Sequence, residues 1–292
     1  MAYRIDPRLP LGDEVRRILG EELGGAVRVL REPGGDLADA IHEARKHLKK
    51  ARALLRLLRP QLGEGFAWEN GVCREAARLL AGARDARAMV EAARRLESAS
   101  SIWSPVAERM AQRAEARAMP GEEQERLFAS FEERVRGVDA RLRSWRGLRS
   151  TVDLADGATR IFETGRRRFR RAIRRGDAVS VHAWRKRAKD LWYHARLVRG
   201  LDPLLAGWEA CLDRLADALG QRHDLDVLEA LLRAEPALME GADPGTLMQE
   251  IQRRRRDLDR EAALLGELVY EGGAIPAARS SLVASERQSD EP

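Results

Sequence analysis

The chain has 292 residues, 44% hydrophobic and 34% charged, and its 53 Lys+Arg against 47 Asp+Glu leave a formal net charge of +6. That length corresponds to about two compact units with substantial cores. The absence of any run of about eighteen apolar residues excludes a membrane-spanning helix. Two isolated cysteines, Cys73 and Cys211, support neither a disulfide framework nor a zinc site and read as buried free thiols.

From the N-terminus, Met1-Ala2-Tyr3-Arg4-Ile5-Asp6 lacks the apolar core of a signal peptide, so a cytoplasmic protein is expected. Hydrophobic spacing is near 3.6 almost throughout, with no sustained alternation, which predicts an all-α protein. The breakers Pro33-Gly34-Gly35, Pro60, Pro120-Gly121, Gly157, Gly176-Asp177, Pro203 and Pro236 mark the expected helix connections.

The first distinctive helix contains His42-Glu43-Ala44-Arg45-Lys46-His47-Leu48-Lys49, with Asp36 as the expected N-cap. At about 100° per residue, His42, Arg45, Lys46, Lys49 and Arg56 share one sector, while Leu48, Ala51, Leu55 and Leu58 point the other way. The same pattern returns 140 residues later as His182-Ala183-Trp184-Arg185-Lys186-Arg187-Ala188-Lys189, with Ser180 as the expected N-cap and Trp184, Ala188, Leu191, Ala195 and Val198 facing inward. Exposed helices usually interleave Glu with Lys to gain i,i+4 pairs. Here the repeated stripes carry cations, as a binding face for an extended anion would. His47 and His194 fall to the sides of their helices and read as packing or surface residues. Trp184 and Trp192 read as packing residues.

Charge is concentrated around the second copy: residues 160–199 hold 14 basic and 3 acidic side chains, and the rest of the chain is net negative. A focused positive field attracts polyanions better than a diffuse one. The run Arg166-Arg167-Arg168-Phe169-Arg170-Arg171, with Arg174 and Arg175, leads into the second helix and is expected to reinforce its stripe. The repeat continues as Arg84-Asp85 in the first half and His223-Asp224-Leu225 in the second. Long polar helices, Glu122 to about Leu148 and Pro244 to about Tyr270, close the halves. Two similar four-helix bundle units are expected, about residues 11–150 and 151–272, related by an internal pseudo-two-fold. They form one domain over 1–272, followed by a disordered tail, 273–292, rich in Gly, Ser, Ala and Pro.

His-x-x-Arg-Lys-x-x-Lys in both halves, the Trp192-Tyr193 pair, and the Arg84-Asp85 and His223-Asp224-Leu225 segments resemble the CHAD family, the conserved histidine α-helical domain. The resemblance covers about residues 10–272. It implies a helical domain that binds inorganic polyphosphate in a basic groove or pore between the two units, lined by His42, Arg45, Lys46, Lys49, His182, Arg185, Lys186 and Lys189. Neither catalysis nor a cofactor is expected. Arg56, Arg196 and Tyr193 extend that set. Polyphosphate-containing granules are a further expected partner. The first half has Arg84 where the second has His223, a departure from strict symmetry.

Polyphosphate has no base or sugar to read, so a rigid track of Arg and Lys is its natural receptor. Nucleic-acid binding is the alternative, since basic helices also grip phosphodiester backbones. Against it, aromatic residues are not interleaved with the basic stripes. A metal-dependent polyphosphate hydrolase is the third reading. It would need a carboxylate cluster, for which only His223, Asp224 and Asp226 offer material, and these aspartates are expected to orient basic residues instead.

Overall fold

The computed structural model describes residues 3–34, 36–116, 121–144, 152–200 and 204–272, except the side chains of 82–85 and 204. Arg84-Asp85 as side chains, Pro203 and the tail 273–292 therefore lie outside the described residues. The described chain is helical and contains no strand, as the unbroken 3.6-residue spacing requires. Its helices are α1 (Leu11–Arg31), α2 (Leu37–Leu57), α3 (Arg59–Leu62), α4 (Glu64–Leu79), α5 (Ala81–Glu97), α6 (Ser104–Ala116), α7 (Gly121–Ser144), α8 (Ala155–Arg175), α9 (Ala178–Val198), α10 (Leu204–Ala234) and α11 (Pro244–Tyr270).

Side-chain caps start three of the long helices. Asp36, Asp177 and Asp243 accept backbone N–H bonds from Ala38, Ser180 and Thr246, satisfying donors that a helix N-terminus leaves open. Asp36 is the expected cap of α2. The cap of α9 is Asp177 rather than Ser180, because the left-handed turn at Gly176 (φ 62°) ends α8 immediately before it. Gly157 was expected to break a helix and instead lies in the first turn of α8. A methyl group there would overlap the Leu57 carbonyl, so the glycine lets α8 close onto the end of α2. Pro60 likewise sits inside the short α3.

Packing follows two closed circuits. In the first, α1 touches α2, α2 touches α4, α4 touches α7, and α7 returns to α1; in the second, α8, α9, α10 and α11 touch in the same cyclic order. The first half carries more than four helices: α10 runs unbroken for 31 residues, whereas the matching stretch of the first half is divided into α4 and α5 at Leu80, and α6 is additional. Leu48, Ala51, Leu55 and Leu58 on α2, and Trp184, Ala188, Leu191, Ala195 and Val198 on α9, are all buried. Cys73 is buried, while Cys211 is only half-buried.

A candidate polyanion site between the repeated helices

The two helices with the repeated cations meet directly. α2 touches α9 and α5, α9 touches α10, and α10 touches α5, so these four helices close a third ring. Charged contacts tie it: Arg56 donates to Asp190 across α2 and α9 at 2.9 Å, and Arg95 donates to Asp224 across α5 and α10 at 3.1 Å. Arg87 of α5 reaches Asp36 and Asp39 at the start of α2.

On α2, His42 is exposed and Arg45, Lys46 and Lys49 are half-buried. Arg45 donates to the Ala77 carbonyl near the end of α4, where a helix leaves carbonyls without intrahelical partners. Lys46 pairs with Glu43 at 3.0 Å, so the first stripe includes one carboxylate beside its cations. On α9, His182, Arg185 and Lys189 are half-buried and Lys186 is exposed. Lys189 lies over the Trp192 ring, 4.6 Å from its centroid, and Arg196 lies over the same ring at 5.0 Å. Trp192 thus orients two cations through its π-face, a role beyond the packing expected of it.

The histidines separate by environment. His182 packs against His223 of α10, with ring centroids 4.6 Å apart. Burial, then Lys186 and Arg185, hold its pKa below the usual histidine value, since each disfavours a further positive charge. His223 is therefore part of this site. Its signal in the sequence was the His-Asp-Leu segment, which gave no direction for the side chain. His194 is buried, bonds the Ala53 carbonyl through Nε2 at 2.8 Å, and is pushed down to about 4, chiefly by burial. His47 contacts Glu22 of α1 at 2.5 Å. Both are packing residues, as expected.

Of the three extensions of the sequence-derived set, Tyr193 and Arg56 stand apart from the stripes, while Arg196 shares the Trp192 ring with Lys189. Tyr193 is 2% exposed, edge-on to Tyr3 at 6.3 Å, and faces no solvent where a ligand could meet it. Arg56 is spent on Asp190 and is nearly buried. Arg196 lies near Glu209 at 3.7 Å and remains partly exposed. The Arg166–Arg175 run does not reinforce the second stripe in the expected way. Phe169 of α8 packs on Trp184 at 5.1 Å, and Trp184 follows His182 by two positions, roughly 200° around α9.

Asp224 and Asp226 bind arginines: Arg95 for the former, Arg222 and Arg255 for the latter. Among the described residues, no three His, Cys, Asp or Glu side chains converge as a metal site, and no helix is long and apolar enough to cross a membrane.

Comparison with known proteins agrees with this architecture. The chain resembles the crystal structure of the CHAD domain from the plant Ricinus communis with a TM-score of 0.51 and 18% identity, over 98% of this chain and 95% of that one. A search of curated proteins finds no match. A family model described as the CHAD domain matches residues 19–233, from the middle of α1 through nearly all of α10, and the chain therefore belongs to the CHAD domain family.

Proposed function

We propose that this protein binds inorganic polyphosphate without hydrolysing it. The anion lies in a basic groove within the ring of α2, α5, α9 and α10, and the two halves are related by a pseudo-two-fold. His42, Arg45, Lys46 and Lys49 line one side; His182, Arg185, Lys186 and Lys189, with His223 behind His182, line the other. The observation that carries this reading is the direct packing of the two helices bearing the same cationic pattern, which brings both stripes within reach of one extended anion. Arginine forks chelate phosphate oxygens, lysines supply adaptable charge, and nothing in the stripes is shaped to read a base.

A competition titration at fixed salt tests it. Long-chain polyphosphate should displace a labelled polyphosphate probe at far lower phosphate concentration than duplex DNA or RNA. Equal displacement by DNA at equal charge would replace this reading by nucleic-acid binding. Phosphate released when polyphosphate and divalent ions are added would make the protein a hydrolase.

A further inference from the structure

The arginines of α8 are left over from that site, and they form a face of their own. Arg160, Arg167, Arg171 and Arg174 fall within roughly 60° around the helix, opposite the buried Ile161, Gly165, Phe169 and Ala172. Among the described residues, Arg167, Arg168, Arg171 and Arg174 make no ion pair. Their neighbours do: Arg166 binds Glu163, Arg170 binds Glu271 and Arg175 binds Asp177. This face lies on the side of α9 away from His182.

Exposed apolar side chains gather beside it. Seven large hydrophobic residues are exposed among the described residues, and four are here: Ile173 at 52%, Val179 at 80%, Leu264 at 65% and Leu268 at 59%. Gly165 against Tyr270 and Phe169 against Gly266 set α8 and α11 side by side and antiparallel, and Arg170 bonds Glu271 across them. Ile173 is one turn from Arg170, Leu268 is one turn from Glu271, and Leu264 is one turn further. Val179 lies just past the Gly176 turn, in the first turn of α9. Glu267 and Asp177 are exposed carboxylates within this group; Asp177 is paired with Arg175 and Glu271 with Arg170.

We propose that the outer face of α8, with the exposed side of α11 and the first turn of α9, docks on the surface of an anionic lipid bilayer. The arginines meet the headgroup phosphates, and Ile173, Val179, Leu264 and Leu268 enter the interface. A soluble polyanion would use the arginines and leave the apolar side chains in water. A bilayer surface uses both: an interfacial segment combines a basic face with apolar side chains at the headgroup boundary, and each arginine gains from the negative surface potential. The proposal is independent of the polyphosphate reading.

Cosedimentation of the full chain with vesicles tests it. At low salt the protein should pellet with vesicles of phosphatidylglycerol and phosphatidylcholine, and stay in solution with phosphatidylcholine alone. Arg167→Gln/Arg171→Gln/Arg174→Gln should lower partitioning on the order of a hundredfold. Ile173→Ser/Val179→Ser/Leu264→Ser/Leu268→Ser should lower it by roughly tenfold or more. Circular dichroism verifies the fold of each, and because the two sets are independent, misfolding of one leaves the other to decide. Absence of binding by the unmodified protein, or undiminished partitioning of a folded variant, overturns the proposal. So does a matching fall in polyphosphate affinity in the arginine variant, which would assign the stripe to polyphosphate.

Discussion

Two histidines on α9, twelve positions apart, have opposite duties, and pH separates them. His194 is buried and neutral, its pKa pushed down to about 4, while in the unfolded chain it titrates near 6.5. Between those values the unfolded state binds more protons, so stability is complete above about pH 6.5 and falls as pH drops toward 4. The loss is on the order of 3 kcal/mol at the acid end. Thermal unfolding across that window should show the slope, and His194→Asn should reduce it. His182 carries a pKa lowered by burial, Lys186 and Arg185, and a bound polyanion offsets the two charges and raises it. Polyphosphate affinity should therefore increase as pH falls toward and through the free-state pKa, with proton uptake measurable by calorimetry in buffers of different ionisation enthalpy. His182→Gln should flatten the profile; an unchanged slope would make His182 a neutral donor. Helical periodicity sets these two histidines about 120° apart around α9, and one is half-buried while the other is buried. It did not foresee the cover over Arg56, which shares His42's direction, or over Tyr193, which entered through the family resemblance; both lie where α2, α9 and the N-terminal segment meet. Periodicity gives a direction around one helix, and the neighbour that arrives there comes from elsewhere in the chain.

At the scale of elements, an ion-paired cluster, the His194 to Ala53 bond and a close-packed glycine act at the join between α2 and α8–α9. Asp190 is buried, accepts from Arg56 of α2 at 2.9 Å and is ion-paired with Arg187 on its own helix at 2.8 Å. Arg56→Met removes the inter-helix bond and leaves Asp190 its second partner, so a cost of about 1–3 kcal/mol is expected. Asp190→Ala should cost more, because it strands Arg56, itself largely buried, without its carboxylate. Urea unfolding of both variants checks the order, and the reverse order would show that Arg187 dominates the cluster. Gly157→Ala should destabilise by about 3 kcal/mol, the upper end of the overpacking range, since its methyl group meets the backbone of Leu57. The sequence showed this glycine as a connection because helix interiors disfavour glycine; a close approach between helices produces the same letter. Asp36 was legible as a cap because its partner is two residues away, and Asp177 was missed because the position of the Gly176 turn decides which polar residue caps α9.

For the whole molecule, the repeat at a constant 140-residue offset made the two cationic helices visible. It did not show how they pack, because the contacts joining them break the repeat: Asp190 corresponds to Lys50, and His194 to Leu54. Those unmatched residues join the two helices, which sets a test of whether one ligand uses both stripes. Arg45 is a poor probe, since it also binds the Ala77 carbonyl near the end of α4 and its loss would cost stability. Lys46 with Lys49, and Lys186 with Lys189, are better pairs. Each lost charge-assisted contact should cost about 1–3 kcal/mol in binding, with melting temperature nearly unchanged. Pyrophosphate is short enough to occupy one stripe, so neither double substitution should abolish its binding. A long chain that engages both stripes has the second contact made at high effective concentration. Either double substitution should therefore bring long-chain affinity close to that of the short ligand, and combining them should remove the remaining stripe and with it the binding of both ligands. Isothermal titration of the two doubles and the quadruple variant with both ligands measures this. Undiminished long-chain affinity in each double variant, with only the stoichiometry halved, would mean that each helix binds its own anion and that the ring of α2, α5, α9 and α10 does not hold a single shared ligand.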